Sequence, residues 1–95
     1  MLLSKFMTNG DIVSLKLVNG DELIARLESE TENEIKINRP LAITVAQSGL
    51  GMIPWMFLGG SDNVTLQRGH VLTMMISKKD AADQYIQGTT GIALR

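Results

Sequence analysis

The run Ile12-Val13-Ser14-Leu15-Lys16-Leu17-Val18, followed at once by Asn19-Gly20, constrains this chain more than any other feature. Val13, Leu15 and Leu17 alternate with Ser14 and Lys16, the period-two pattern of a strand with one face buried and one in water. Asn-Gly is the strongest short signal for a hairpin, through a type I′ turn whose two central residues take positive φ. The alternation then resumes, with Leu23, Ala25 and Leu27 inward and Glu22, Ile24, Arg26 and Glu28 outward. Such a hairpin commits the chain to a sheet, and the later segments must supply more strands and a cover.

They read as strands almost to the end. After a polar reversal at Thr31-Glu32-Asn33, Ile35 and Ile37 restart the pattern with Lys36 outward. Arg39-Pro40 interrupts it before Leu41, Ile43 and Val45 continue; proline has no N–H for a ladder, so a bend or an edge is expected here. Gln47-Ser48-Gly49 turns the chain into Leu50 to Leu58, apolar nearly throughout and read as a strand buried on both faces, with Pro54 at an edge or bulge. Gly59 to Asn63 form a loop. Val64 to Gln67 and His70 to Ile76 are the last strands, hinged at Arg68-Gly69. Ser77 with Asp80 three residues on suggests a helix start, continuing through Ala81, Ala82, Tyr85 and Ile86 to a stop at Gly88, before an irregular tail.

The fold class expected is therefore all-β: a small, strongly bent, five-stranded antiparallel barrel over about 12–76, with a short C-terminal helix and tail over 77–95. Ninety-five residues suffice for one domain and one modest core. With no cysteine and one histidine, neither a disulfide framework nor a zinc site is expected, nor any cofactor, so oligomerisation becomes the natural source of extra burial. The doubly apolar strand around Trp55 needs a cover on its second face, and a second subunit offers more than the short, weakly apolar helix. The formal charge of −1 and pI near 5.7 argue against strong non-specific binding of nucleic acid by the whole surface. Met1 to Met7 are too short an apolar run for a signal peptide and no stretch approaches a membrane span, so a cytoplasmic protein is expected.

Two stretches resemble the paired motifs of the Sm-like (LSm) family. Val13 to Leu27, with its strand, glycine turn and second strand, is similar to the first motif; Leu66-Gln67-Arg68-Gly69-His70-Val71-Leu72 resembles the arginine-glycine turn of the second. Met52-Ile53-Pro54-Trp55-Met56 and the ending Tyr85 to Ile92 are similar to small Sm-like proteins of tailed phages that infect marine cyanobacteria. The resemblance implies a homo-oligomeric ring of five to seven copies, in which the fourth strand of one subunit pairs with the fifth of the next. It assigns that contact to Trp55, Phe57, Val64, Leu66, Val71 and Leu72. In RNA-binding members an aspartate and an asparagine in the turn after the second strand hold a base. Glu30-Thr31-Glu32-Asn33-Glu34 offers Asn33 but no aspartate. The family's N-terminal helix is shortened or lost, since only Met1 to Met7 precede Thr8-Asn9-Gly10.

Arg68 and His70, with Asn33, are the candidate contacts to single-stranded RNA at the ring pore, where arginine clamps phosphate and histidine stacks or hydrogen-bonds. Against this stands a structural role, in which Arg68 pairs with a neighbouring subunit's glutamate across the subunit contact and His70 begins a strand. Lys36 and Arg39 read as solvated charges, and Glu28, Glu30, Glu32 and Glu34 as a solvated acidic tip rather than a cation cage. Trp55 reads as core or interface in preference to a stacking platform. No constellation for catalysis is evident, because the one histidine has no orienting partner in sequence. A scaffold ring that binds protein and no nucleic acid is the rival reading.

Overall fold

The computed structural model describes residues 7–90; the leading Met1 to Phe6 and the end of the tail, Gly91 to Arg95, lie outside the described residues, and with them most of the leader and part of the tail discussed above. The chain runs β1 (Ile12–Leu17), β2 (Glu22–Glu30), β3 (Glu34–Ala46), β4 (Gly49–Pro54), β5 (Asn63–Gln67), a 3-10 turn (Arg68–His70), β6 (Val71–Ile76) and α1 (Lys79–Thr90). All pairings are antiparallel, in the order β4-β3-β2-β1-β6, with β5 also on β3.

Two expectations are corrected here. The sheet has six strands, not five, and it is not closed into a barrel, since β5 and β6 share no ladder. The extra strand arises because the outer neighbour of β3 is broken in two. β4 pairs with Leu41 to Ala46 and β5 with Glu34 to Asn38, on one edge of the same thirteen-residue strand. Between Pro54 and Asn63 eight residues leave the edge where the ladder would need only two, opposite Arg39 and Pro40.

The sheet is nevertheless strongly bent. The Arg68 N–H donates to the Asn33 carbonyl at 2.9 Å, and the His70 carbonyl accepts from the Val18 N–H at 2.9 Å. A three-residue turn, at most about 10 Å long, thus links the loops at opposite ends of nine-residue β2, which if straight would be roughly 27 Å long.

The first hairpin forms where expected, but not through a type I′ turn. Only Gly20 takes positive φ, at 97°, while Asn19 does not. Gly20 N–H bonds the Leu17 carbonyl and Leu17 N–H bonds that of Asp21, giving a three-residue loop in which glycine supplies the left-handed residue. Asn19 instead accepts the Asp21 N–H on its side chain.

The inner face buries Val13, Leu15, Leu17, Leu23, Ala25, Leu27, Ile35, Ile37 and Leu66. A second, smaller core on the other face joins Ile12, Ile24 and Tyr85 under α1. Ile24, expected outward, is 1% exposed because the helix covers it. α1 also outruns its expected stop: it passes Gly88, and Thr89 and Thr90 donate their hydroxyls to the Tyr85 and Ile86 carbonyls. Ser77 is buried with its hydroxyl 2.8 Å from that of Ser14, outside the helix it was expected to cap. None of the described helices is long and apolar enough to cross a membrane.

What holds α1 to the sheet is the bend of β3. Arg39 takes φ 51°, costly for a side chain other than glycine, and Pro40 is buried. The Tyr85 hydroxyl lies 2.8 Å from the Asn38 carbonyl and 3.0 Å from that of Arg39, and it donates across both. Arg39 itself reaches Asp62 Oδ2 at 3.2 Å and the Thr89 carbonyl.

Tyr85→Phe keeps the ring and strips both carbonyls of their donor, and is expected to cost about 1–2 kcal/mol, or roughly 5–15 °C in melting temperature. Burial pushes the phenol above the usual tyrosine range. A raised acid favours the protonated form when folded, so this contribution is complete below about pH 10 and fades as pH rises through the folded value. Melts from pH 8 to 11 are expected to show the gap between wild type and Tyr85→Phe narrowing above pH 10.

Candidate nucleic-acid interface

The three residues proposed for RNA lie on turns that the bend brings together. The loop after β2 is built by Thr31, whose hydroxyl accepts the N–H groups of Asn33 and Glu34 at 3.3 and 3.1 Å, and it leaves the Asn33 side chain exposed. The backbone bond from Arg68 to Asn33 seats the 3-10 turn on this loop. His70, exposed, closes the same turn against the hairpin loop at Val18.

Arg68 is largely spoken for. Its Nε and Nη2 donate to the Thr31 carbonyl at 3.1 and 2.9 Å, and Nη2 also meets Glu30 Oε1 in an ion pair. Glu30 is the more buried partner, so the guanidinium acts first as a clamp between two loops. The glutamate it meets belongs to its own chain, whereas the structural alternative read from sequence had placed the partner on a neighbouring subunit. Nη1 has no hydrogen-bond partner among the described residues, and the side chain is 40% exposed. One edge of the guanidinium therefore still faces solvent.

A cleft of about 180 Å³ opens beside it, lined by Met7, Glu30, Ile35, Arg68 and the Val71–Met74 stretch of β6. Its electrostatics are mixed. Glu28 and Glu32 are exposed and Glu34 half-buried around the clamp, and among the described residues no group of three or more acidic or histidine side chains is placed to hold a metal ion. Lys36 is exposed on β3, paired with Ser29 and Thr65.

The residues assigned to a subunit contact fall into three groups. Leu66 spends its side chain on the core, and Val64 and Val71 are half-buried against it. Phe57 and Leu72 are open. Trp55 is half-buried, packed on the inner core with its indole N–H donated to Asp21 Oδ2 at 3.0 Å. The segment expected to be buried on both faces is open in the single chain: Leu50, Ile53, Met56, Phe57 and Leu58 are all exposed, because the hairpin outreaches what α1 and β2 can cover.

Sequence reasoning missed the roles of Asp21, Asp62 and Tyr85. Each acts over more than twenty residues of separation, which no local pattern reports; the one available signal was that a phenol or indole, once buried, needs a polar partner. Arg39, read as a solvated charge, is a staple. No family model matches the chain, and no curated protein matches it.

Arg68→Ala removes three hydrogen bonds from the clamp and leaves a half-buried glutamate unpaired; a loss of about 1–2 kcal/mol is expected by thermal or urea melts. Glu30→Gln, whose amide oxygen can still accept, is expected to lose less than half as much.

Proposed function

We propose that the chain is a non-catalytic, Sm-like subunit of a homo-oligomeric ring, and that the ring binds single-stranded RNA at the turns carrying Asn33, Arg68 and His70. The observation that carries the ring is the pair of open edges. Among the described residues β5 and β6 each have one partner and lie at opposite ends of a bent sheet, joined by the 3-10 turn. Such edges are templates for further pairing, and β6 adds Leu72, Met75 and Ile76, all exposed. Opposite edges of one chain make a head-to-tail contact, which closes into a ring when the rotation permits. The residues that resemble the second Sm motif form this turn.

The RNA reading is supported by the guanidinium edge of Arg68 at a small cleft, with the exposed imidazole of His70 and the exposed amide of Asn33 on the turns beside it. Repeated around a ring, these would give a circle of phosphate and base contacts that one subunit of net charge −1 lacks. One observation favours the scaffold reading instead: the Arg68–Glu30 pair must be preserved or replaced when a phosphate arrives.

The test is mass in solution by light scattering, followed by titration with labelled oligouridine and oligoadenine at 50 and 200 mM salt. The reading expects a multi-subunit mass and saturable binding that salt weakens and Arg68→Ala abolishes, with the ring intact. A ring indifferent to both oligomers would move the protein to the scaffold class. A monomer at tens of micromolar would sink the ring and, with it, both readings.

A further inference from the structure

From Pro40 to Ser61, twenty-two consecutive residues carry no Asp, Glu, Lys or Arg, although charged residues make up 20% of the chain and about four would be expected. Much of this stretch is open to solvent. Val45, Leu50, Ile53, Met56, Phe57 and Leu58 are exposed, Phe57 at 72% and Leu58 at 98%. Val45 and Leu50 share the face of Ile43 and Met52, and Ile53 takes the other, so what projects is Met56, Phe57 and Leu58. At about 150–200 Å² for a fully exposed side chain of this size, these three present on the order of 400 Å². A standard interface takes about 800 Å² from each partner, so they supply about half and strand pairing the rest.

The apex of this surface is the eight-residue excursion between β4 and β5, and it is firmly rooted. Trp55 N–H bonds the Pro40 carbonyl at 3.1 Å and its indole bonds Asp21, while Asp62 takes the Arg39 N–H on its carbonyl at 2.7 Å. Held at both ends, Met56-Phe57-Leu58 presents an apolar knob whose ordering is already accomplished, the character of an interface anchor.

The same chain carries a hollow that matches it. On the helix-side face a groove of about 460 Å³ has Ile24 as its floor, Ile43 and Met52 on one wall and Met75 and Ile76 on the other. The knob cannot reach its own groove. Met56 lies at the C-terminal end of α1, beside Gly88 and Thr89, whereas the groove lies at the helix's other end, beside Lys78, Asp80 and Ala81. One wall of the groove is β6, the open edge at the far end from β5. The knob is neutral, so it meets no like charge at a rim that carries Glu22, Lys78 and Asp80.

We infer that the Met56-Phe57-Leu58 knob of one subunit seats in the groove beside β6 of the next, as the anchor of the head-to-tail contact. This rests on the ring reading and adds a specific contact to it. Phe57 and Leu58 are the hot spot, and the strand edges set direction.

The cysteine-free sequence allows a direct test. The double variant Leu58→Cys with Met75→Cys, mildly oxidised, is expected to give a reducible ladder of covalent oligomers on denaturing gels, and each single variant none. Phe57→Ser with Leu58→Ser is expected to leave the melting temperature of the monomer unchanged while weakening assembly at least about 30-fold by light scattering. A wild-type ring with no ladder, and with assembly unaffected by the serine pair, would overturn the knob and leave the ring standing. Dimers from Leu58→Cys alone would show tip-to-tip pairing and overturn it too, as would loss of the wild-type chain to neutral phosphatidylcholine vesicles. A monomeric wild type would overturn knob and ring together.

Discussion

The tertiary arrangement turns on the bend at Arg39-Pro40. A straight thirteen-residue strand would run some 40 Å, about the whole of the domain's longest dimension of 39 Å. By bending, β3 serves as two shorter strands, one in the inner core and one under α1. The bend turns the Asn38 and Arg39 carbonyls towards Tyr85 and places a non-glycine residue in the left-handed region. Both would be unfavourable if left alone. The Tyr85 hydroxyl answers the first, and the three-way bonding of Arg39 to Asp62, Thr89 and its own backbone partner holds the second. Helix, strand and excursion loop therefore meet at one residue. The second core under α1 exists because Tyr85 has something polar to reach.

That arrangement decides which surfaces are left open. Each half of β3 acquires its own outer neighbour, so the sheet ends in β5 and β4 on one side and in β6 on the other, with no further strand paired to either among the described residues. Natural edge strands are commonly blunted with lysine or other charge. Here β4 has none, β6 has none, and β5 has none. Charge is concentrated on β1 to β3 and α1, where the surface is already solvated. The edges thus lack the charge that commonly keeps edge strands from pairing further.

Much of the fold was legible because its signals are local. Alternation at Val13 to Leu17 and Leu23 to Leu27, the glycine turn, the proline in β3 and the arginine-glycine hinge each announce themselves within a few residues. The helix was legible from its pattern, but its end was not, since Arg39 at the Thr89 carbonyl and the threonine back-bonds carry it past Gly88. Ile24 was misread because alternation states which side of a strand a residue takes and not whether that side is later covered. The split of the outer strand was hidden by composition: Leu50 to Leu58 is apolar throughout, so nothing marked where ladder ends and excursion begins. Asn33, Arg68 and His70 were named from local motifs, but the hold of Glu30 on Arg68 depends on how tightly β2 curls, which no local pattern states.

That hold sets the terms on which an anion could approach. A phosphate arriving at Nη2 must displace a half-buried carboxylate and would leave it unpaired in a low-dielectric pocket, a net loss. A phosphate or base arriving at Nη1 displaces only water, and the clamp then works in its favour, because a guanidinium already fixed by Thr31 and Glu30 loses little further freedom on binding. The ion pair thus lowers the net positive charge of the turn while orienting what remains of it. An arginine so placed suits stacking or a single directed hydrogen bond better than bulk phosphate neutralisation. The acidic balance of the chain points the same way: whatever this turn binds, shape and direction would have to contribute more to the binding than charge.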